Sequence, residues 1–396
     1  MANRFGFLSK RLRAISSRGK VIWIHAVSLG EMKAASILAP LLRRTFPKHT
    51  LLFSSVTHTG NKVARTIATA DEGVFYLPLD VSFITDRVVR IIKPELFLLL
   101  EAELWPNLIS SLYRANTKIV LVNGRVSDSS YKGYKKIRFI IPRILNKIFL
   151  VLMQSEQDAT RMLELGAPKE NVFVTGNLKF DLSLSDSVTK NRALREKLGI
   201  RDEDILFTAG STNKGEEEQL LDCFSRLKKD YRELRFLIAP RHIERTQEIQ
   251  QLLDRKGFKS VRYSQIEDLH LTHEDILILD TIGDLKVIYS GSDIVFVGGS
   301  LIEKRGGQNP IEPASLAKPV IMGRFMANYQ DVVRAFLENH AAIQVEDRDE
   351  LYSALKLLLD NPGERKNLGM NAREVVDRNS GSSQRTISLI LSHLKS

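Results

Sequence analysis

Apolar residues in this chain fall in short continuous runs, separated by longer stretches in which they recur at a spacing of three and four. Continuous runs of this length are strands buried on both faces of a parallel sheet, and the longer spacing marks amphipathic helices that cover them. In the first half the runs occupy residues 21–27, 51–55, 96–100, 118–122, 150–153 and 172–175, with helical patterns such as residues 32–44 between them. From residue 177 to residue 204 the alternation dissolves into polar positions, including Asp181, Ser183, Ser185, Asp186 and Ser187, and then a charged helix. It restarts with runs at 205–209, 235–239, 261–263, 276–280, 293–298 and 319–323, and from residue 351 the pattern is helical. The predicted fold class is α/β, with two consecutive Rossmann-like lobes and a ligand cleft between them at the carboxyl ends of the strands. The boundaries read as a first lobe over 1–180, a linker over 181–203, a second lobe over 204–378, and a terminal helix over 379–396 expected to pack back on the first lobe.

Length and composition agree with that division. A chain of 396 residues has room for two cores. With 43% hydrophobic and 27% charged residues it has the balance of a globular protein. The apolar runs are far shorter than the roughly 18 residues that cross a bilayer, so no transmembrane helix is expected. The single cysteine, Cys223, excludes internal disulfides and a cysteine-built zinc site, and its helical neighbours Leu220, Leu221 and Phe224 make it a buried, inert thiol. The net charge of +11 implies anionic partners. Six basic residues and no acid precede Val21. A second cluster, from Arg125 to Lys147, sets seven basic residues against Asp128 and interleaves them with Ile137, Phe139, Ile140, Ile141, Ile144 and Leu145. That mixture suits an anionic membrane surface, with a solvated basic helix face as the alternative. A nucleic-acid binder is disfavoured, because no stretch interleaves aromatic residues with arginine as a stacking platform would. The acid-free start also has the look of a transit peptide, but a strand pattern opens at Val21 and leaves little to remove.

The candidate chemistry sits where strands meet helices. After the first strand comes His25-Ala26-Val27-Ser28-Leu29-Gly30-Glu31, which places Glu31 in the first turn of a helix. A carboxylate there is favoured as the anion and is available as a base; a helix-capping glutamate without chemistry is the alternative. Glu101 and Glu103, in Glu101-Ala102-Glu103-Leu104-Trp105-Pro106-Asn107, leave a buried strand and need partners or a function. They would project to one side if the strand continued. Asn123-Gly124-Arg125 follows the next strand, and Arg125 suits a carboxylate or phosphate.

In the second half, Gly210-Ser211-Thr212-Asn213-Lys214-Gly215 feeds a helix whose amino terminus offers backbone donors to phosphate oxygens, without the frame of a P-loop. Pro240-Arg241-His242 is a further corner, where Arg241 can meet a second anion while His242 reads as structural. The Asp280-Thr281 corner precedes Asp284, and Gly298-Gly299-Ser300 leads to Gly306-Gly307-Gln308-Asn309-Pro310-Ile311-Glu312-Pro313. There the glycines permit close backbone approach, Pro310 starts a helix, and Glu312 can accept two ribose hydroxyls.

Taken in order, these segments resemble the 3-deoxy-D-manno-octulosonic acid (Kdo) transferases, inverting glycosyltransferases of the GT-B fold, and the resemblance spans nearly the whole chain. It implies transfer of Kdo from CMP-Kdo to a lipid A precursor in lipopolysaccharide synthesis, at the cytoplasmic face of the bacterial inner membrane. In that reading the first lobe binds the acceptor and the second the donor. Glu31 resembles the family's base and Glu101 its essential carboxylate, while Ser28, Gly30, Glu103 and Arg125 fall on the acceptor side. Ser211, Thr212, Arg241, Gly307, Asn309 and Glu312 resemble donor-site residues. Neither a cofactor nor a catalytic metal is implied, and no nucleic-acid partner. The family usually carries a hydrophobic anchor before the first lobe, so a form of the protein lacking that anchor is expected here. Asp284 stands where the family commonly has Glu, one methylene longer. Another GT-B enzyme, using a UDP-sugar or epimerising one, is the alternative.

Overall fold

A computed structural model describes residues 2–101, 103–183, 192–268 and 276–395. The chain divides into two compact units: Met1–Leu182 together with Asn379–Ser396, and Ser183–Arg378. The polar stretch at 184–191, which includes Ser185, Asp186 and Ser187, lies outside the described residues.

The first unit is built on a parallel sheet of seven strands: β1 (Lys20–His25), β2 (His49–Ser55), β3 (Gly73–Tyr76), β4 (Leu96–Leu100), β5 (Lys118–Gly124), β6 (Leu150–Met153) and β7 (Val172–Val174). Their order across the sheet is β3-β2-β1-β4-β5-β6-β7, so the order in which strands are added reverses between β1 and β4. Connections on the two sides of that reversal leave in opposite directions, which opens a crevice at the carboxyl ends of β1 and β4. Apolar side chains pack on both faces. On one, Trp23 lies 5.3 Å from Phe75 and 5.0 Å from Phe97, ring centroid to centroid. On the other, the helix Leu29–Thr45 packs against the carboxyl-terminal helix Ser382–Lys395. The returning segment is tied by Asp181, whose carboxylate accepts from Gly381 N–H and Ser383 N–H at 2.7 Å each.

The second unit holds β8 (Ile205–Thr212), β9 (Leu234–Pro240), β10 (Ser260–Arg262), β11 (Ile276–Ile278), β12 (Ile294–Val297), β13 (Val320–Gly323) and β14 (Ile343–Val345), all parallel. Their order is β10-β11-β9-β8-β12-β13-β14, and the reversal falls between β8 and β12.

Each half thus has seven strands where six continuous apolar runs were read. The extra ones, β3 and β14, are outer or edge strands with half-exposed positions, so their patterns are short and broken. Most of the second half of the expected linker, 181–203, is a correction. The helix Arg192–Lys197 and the residues after it belong to the second unit, with Leu194, Leu198 and Ile200 in its core. Arg195 is 3% exposed and donates to Gly291 O, Arg201 O and Asp204 O and to the Asp293 carboxylate. A buried guanidinium held by four partners fixes the segment to that unit.

Candidate functional site

In the first unit the crevice at β1 and β4 gathers the predicted acids. The helix after β1 starts at Leu29 because Ser28 caps it, its hydroxyl accepting from Glu31 N–H at 3.3 Å. The Glu31 carboxylate reaches back to accept from Val27 N–H at 2.7 Å, a reciprocal arrangement that satisfies two orphan donors of the helix start. Glu31 is therefore a capping residue, but one that is only 6% exposed. Burial, then the charge of Glu101, and less strongly that of Glu103, push its pKa up from 4.5 to about 7 against the two hydrogen bonds. At neutral pH it is divided between acid and base.

Glu101 takes the left-handed backbone conformation (φ 55°) immediately after β4, with its N–H bonded to Val122 O at 3.0 Å. That conformation ends the strand, so the expected alternation placing Glu101 and Glu103 on one side does not apply. Residue 102 lies outside the described residues. Glu101 is half-buried and Glu103 exposed. Gly30 is the second residue of the helix, where it is half-buried. Arg125 stands half-buried just beyond β5, the neighbour of β4. Gly124 ends β5 tight against Met153, whose sulfur would lie 2.5 Å from an added Cβ, so this glycine serves packing rather than flexibility.

Two groups here escaped sequence reasoning. His25 is fully buried at the end of β1, its Nδ1 2.9 Å from Ser54 Oγ, and burial pushes its pKa down to about 4, so it is neutral. Trp105 lies edge-on to it at 6.3 Å. His25 Nε2 and Trp105 Nε1 are both buried without a hydrogen-bond partner, the kind of orphan a bound polar group satisfies. The only signal in the sequence was a histidine ending a buried strand.

In the second unit the reversal point carries Ser211, half-buried with φ 56° in a bulge of β8. In the helix that follows, Glu216–Leu227, two carboxylates of the first turn reach back into the unit, and one takes Asn213 N–H, a backbone donor of the Gly210–Gly215 turn that was read as open to a phosphate. Glu216, fully buried, accepts from Asn213 N–H (2.8 Å), Gly299 N–H (2.7 Å), Ser300 N–H (2.9 Å) and Leu301 N–H (3.0 Å). Burial raises its pKa, and these four donors counter the rise. Thr212, likewise buried, gives its hydroxyl to Glu217 at 2.9 Å, and Glu217 pairs with Arg245 at 2.7 Å. Thr212 is thus turned into the fold, and Glu216 is the clamp joining the turn after β8 to the loop after β12. The three acids at 216–218 were the available signal.

The remaining donor-side residues do gather. Gly298 and Gly210 are required by close approach: an added Cβ would lie 2.5 Å from Ser211 O in the first case and 1.8 Å from the Tyr289 hydroxyl in the second. Gly307 (φ 73°) presses on Met326, and its N–H donates to Gly299 O at 2.8 Å. Asn309 donates to Glu312 at 3.1 Å and accepts from Ile311 N–H at 3.1 Å, which starts the short helix Ile311–Ala314 with Pro310 just before it. Burial and the Glu312 carboxylate push the Tyr329 hydroxyl up to about 12, with Arg241 acting the other way, so these three side chains share a neighbourhood. Arg241 is exposed and its N–H bonds Thr212 O at 2.9 Å. At the neighbouring corner Thr281 donates to Asp284 at 2.5 Å, so the shorter acid is engaged locally.

Two parallel-sheet units, each with polar residues collected where its strand order reverses, define the GT-B fold. The profile of glycosyl transferases group 1 matches residues 190–375, and that of 3-deoxy-D-manno-octulosonic-acid transferase (kdotransferase) matches residues 1–182. A solved UDP-GlcNAc 2-epimerase from Neisseria meningitidis, 14% identical with a TM-score of 0.56, covers 94% of this chain with 100% of its own and shares the fold. The chain is 35% identical over its whole length to a 3-deoxy-D-manno-octulosonic acid transferase of Haemophilus influenzae, covering 91% of it. It is 38% identical over 89% of its length to a bifunctional glycosyltransferase/methyltransferase of Fusobacterium nucleatum, of which it covers 55%. The chain belongs to the 3-deoxy-D-manno-octulosonic acid transferase family.

Proposed function

We propose that this glycosyltransferase takes Kdo from CMP-Kdo and joins it, with inversion, to a hydroxyl of a phosphorylated lipid A precursor. The observation that carries the reading is the Glu31 carboxyl, buried beside Glu101 with a pKa of about 7. A base of that pKa accepts the proton of a sugar hydroxyl as the hydroxyl attacks, and is deprotonated often enough at neutral pH to do so. Glu101 acts on Glu31 by charge, keeping it a stronger base than a lone surface carboxylate. Ser28 and Gly30 hold Glu31 in the helix start, while Glu103 and Arg125 stand at the same strand ends for the acceptor. In the second unit Glu312 and Asn309 suit ribose hydroxyls, Ser211 and Arg241 the leaving phosphate, and Gly307 the close passage of the nucleotide. Leaving-group charge is then met by arginine and polar donors, so the step calls for no metal or cofactor.

An anionic membrane surface as partner, and so the cytoplasmic face of the inner membrane, is supported by exposed apolar residues among cations. Phe139 is 75% and Phe83 73% exposed. The first has Lys135, Lys136 and Arg138 nearby in sequence. The second has Arg87 one turn further along the helix Ser82–Ile92, with its guanidinium over the exposed Phe7 ring. No helix among the described residues is long and apolar enough to cross a membrane.

The test is mass spectrometry of products from CMP-Kdo and a tetraacyl disaccharide bisphosphate, with CMP and UDP compared for protection against thermal unfolding. A Kdo-bearing lipid and protection by CMP alone are expected. Protection by UDP with no Kdo product would refute the reading in favour of a UDP-sugar enzyme.

A further inference from the structure

A cavity of about 690 Å³ opens in the second unit beside the donor loop, and none of Ser211, Arg241, Asn309 or Glu312 lines it. Its rim carries Lys304, Arg305, Arg324 and Arg334 against one acid, Glu338. Arg324 is neutralised by Glu346 at 2.7 Å. Lys304, Arg305 and Arg334 make no ion pair among the described residues. Three cations gathered without partners around a concave site, over a floor that includes Val333 and Met326, repel one another unless an anion joins them.

The loop supplying two of them is held in shape rather than loose. Lys304, Gly306 and Gly307 all have positive φ (68°, 76° and 73°), and Asn328 donates to the carbonyls of Arg305 and Gly307 at 3.3 and 3.2 Å. A non-glycine residue in that region costs of order 1 kcal/mol, and such strain collects at ligand sites. At the far end the loop is fixed by Glu216 through Gly299, Ser300 and Leu301. Gly306 lines the cavity and Gly307 is the adjoining donor-site residue, so the two sites are contiguous.

The charges of the two neighbours are opposite in kind. Glu312 with Asn309 offers acceptors, which suit hydroxyls and repel an anion. The cavity sets Lys304, Arg305 and Arg334 against the single carboxylate of Glu338, an excess of cationic donors that suits a carboxylate on a sugar-sized body. We propose that this cavity is the subsite for the sugar-acid portion of the donor, with Arg305 and Arg334 holding its carboxylate and Lys304 adding charge. The inference rests on the reading of the donor as CMP-Kdo, whose sugar carries one carboxylate.

The test compares wild type with Arg305→Ser, Arg334→Ser and Arg334→Lys, using two probes by calorimetric titration: CMP, and free Kdo in the presence of saturating CMP. A phosphate source is separated by titrating glucosamine 1-phosphate as a third probe. The serine variants should weaken Kdo binding tenfold or more, and raise the KM for CMP-Kdo alike, while the CMP dissociation constant moves less than about twofold. The lysine variant should recover most of the loss, which a merely structural role would not produce. Equal weakening for CMP and Kdo, or no weakening for either, overturns the subsite. Glucosamine 1-phosphate binding that depends on Arg305 and Arg334 more strongly than Kdo binding does also overturns it. Wild-type protein indifferent to CMP would instead overturn the donor reading, and this inference with it.

Discussion

Replacing Glu31 by Gln separates its two roles, helix capping and base, because they move stability in opposite directions. The folded carboxyl titrates at about 7 against an ordinary 4.5. A proton held by the folded state and lost by the unfolded one stabilises the fold at low pH. That contribution falls as pH rises from about 4.5 to 7, and above 7 the buried charge stands as a constant cost. The gap corresponds to about 3 kcal/mol. Gln keeps an oxygen for Val27 N–H and never carries the charge. Glu31→Gln should therefore match wild type near pH 4.5 and be more stable by about 2–3 kcal/mol at pH 8, a rise of roughly 4–10 °C in melting midpoint. The same variant should lose about 10²–10⁴ in turnover, and wild-type turnover should climb as pH rises through about 7. Calorimetric melts at pH 4.5, 6 and 8, beside initial rates over that range, measure all of this. A variant that melts below wild type at pH 8 would show that the cap outweighs the buried charge. One that keeps more than a tenth of the turnover would remove Glu31 from the base role.

Glu216→Gln turns an amide NH2 toward backbone donors that now share four acceptor positions, so about 2–4 kcal/mol of stability should go, together with protection by CMP; unchanged melting would show that the loop after β12 does not depend on this carboxylate. Gly210→Ala should destabilise by more than about 2 kcal/mol through its clash with the Tyr289 hydroxyl, and Tyr289→Phe should restore part of the loss in the double variant, as chemical denaturation of the four proteins will show. Cys223, whose thiol burial pushes up to about 12, should resist alkylation at pH 8 in the folded protein and react at once in denaturant; labelling of native protein at the rate of a free thiol would contradict its burial.

Much of the fold was legible because parallel strands buried on both faces leave continuous apolar runs, and β1, β4, β8, β9 and β12 all show them. Of the four edge strands, β7 and β10 left apolar runs, but Gly73–Tyr76 opens on a glycine and Ile343–Val345 has Gln344 at its centre, so neither shows a continuous run. At the site, Glu31, Glu101, Asn309 and Glu312 could be singled out as polar residues at strand-to-helix corners. Thr212 could not be told from a ligand-binding hydroxyl, because a Gly-flanked Ser-Thr turn looks the same whether its donors face a phosphate or a carboxylate of the protein.

Sequence by itself determined the α/β class, the two parallel units and the corners where chemistry collects, which follow from periodicity and local order along the chain, and its motifs carried the resemblance to the family. Strand order was a tertiary outcome, and with it the crevice that brings the charge of Glu101 to bear on Glu31 from a strand some seventy residues away. That proximity, with the burial around it, makes a helix-capping glutamate a base near neutral pH. Glu216 was decided in the same way, since the three donors of Gly299, Ser300 and Leu301 lie more than eighty residues further along the chain, and only folding brings them to it.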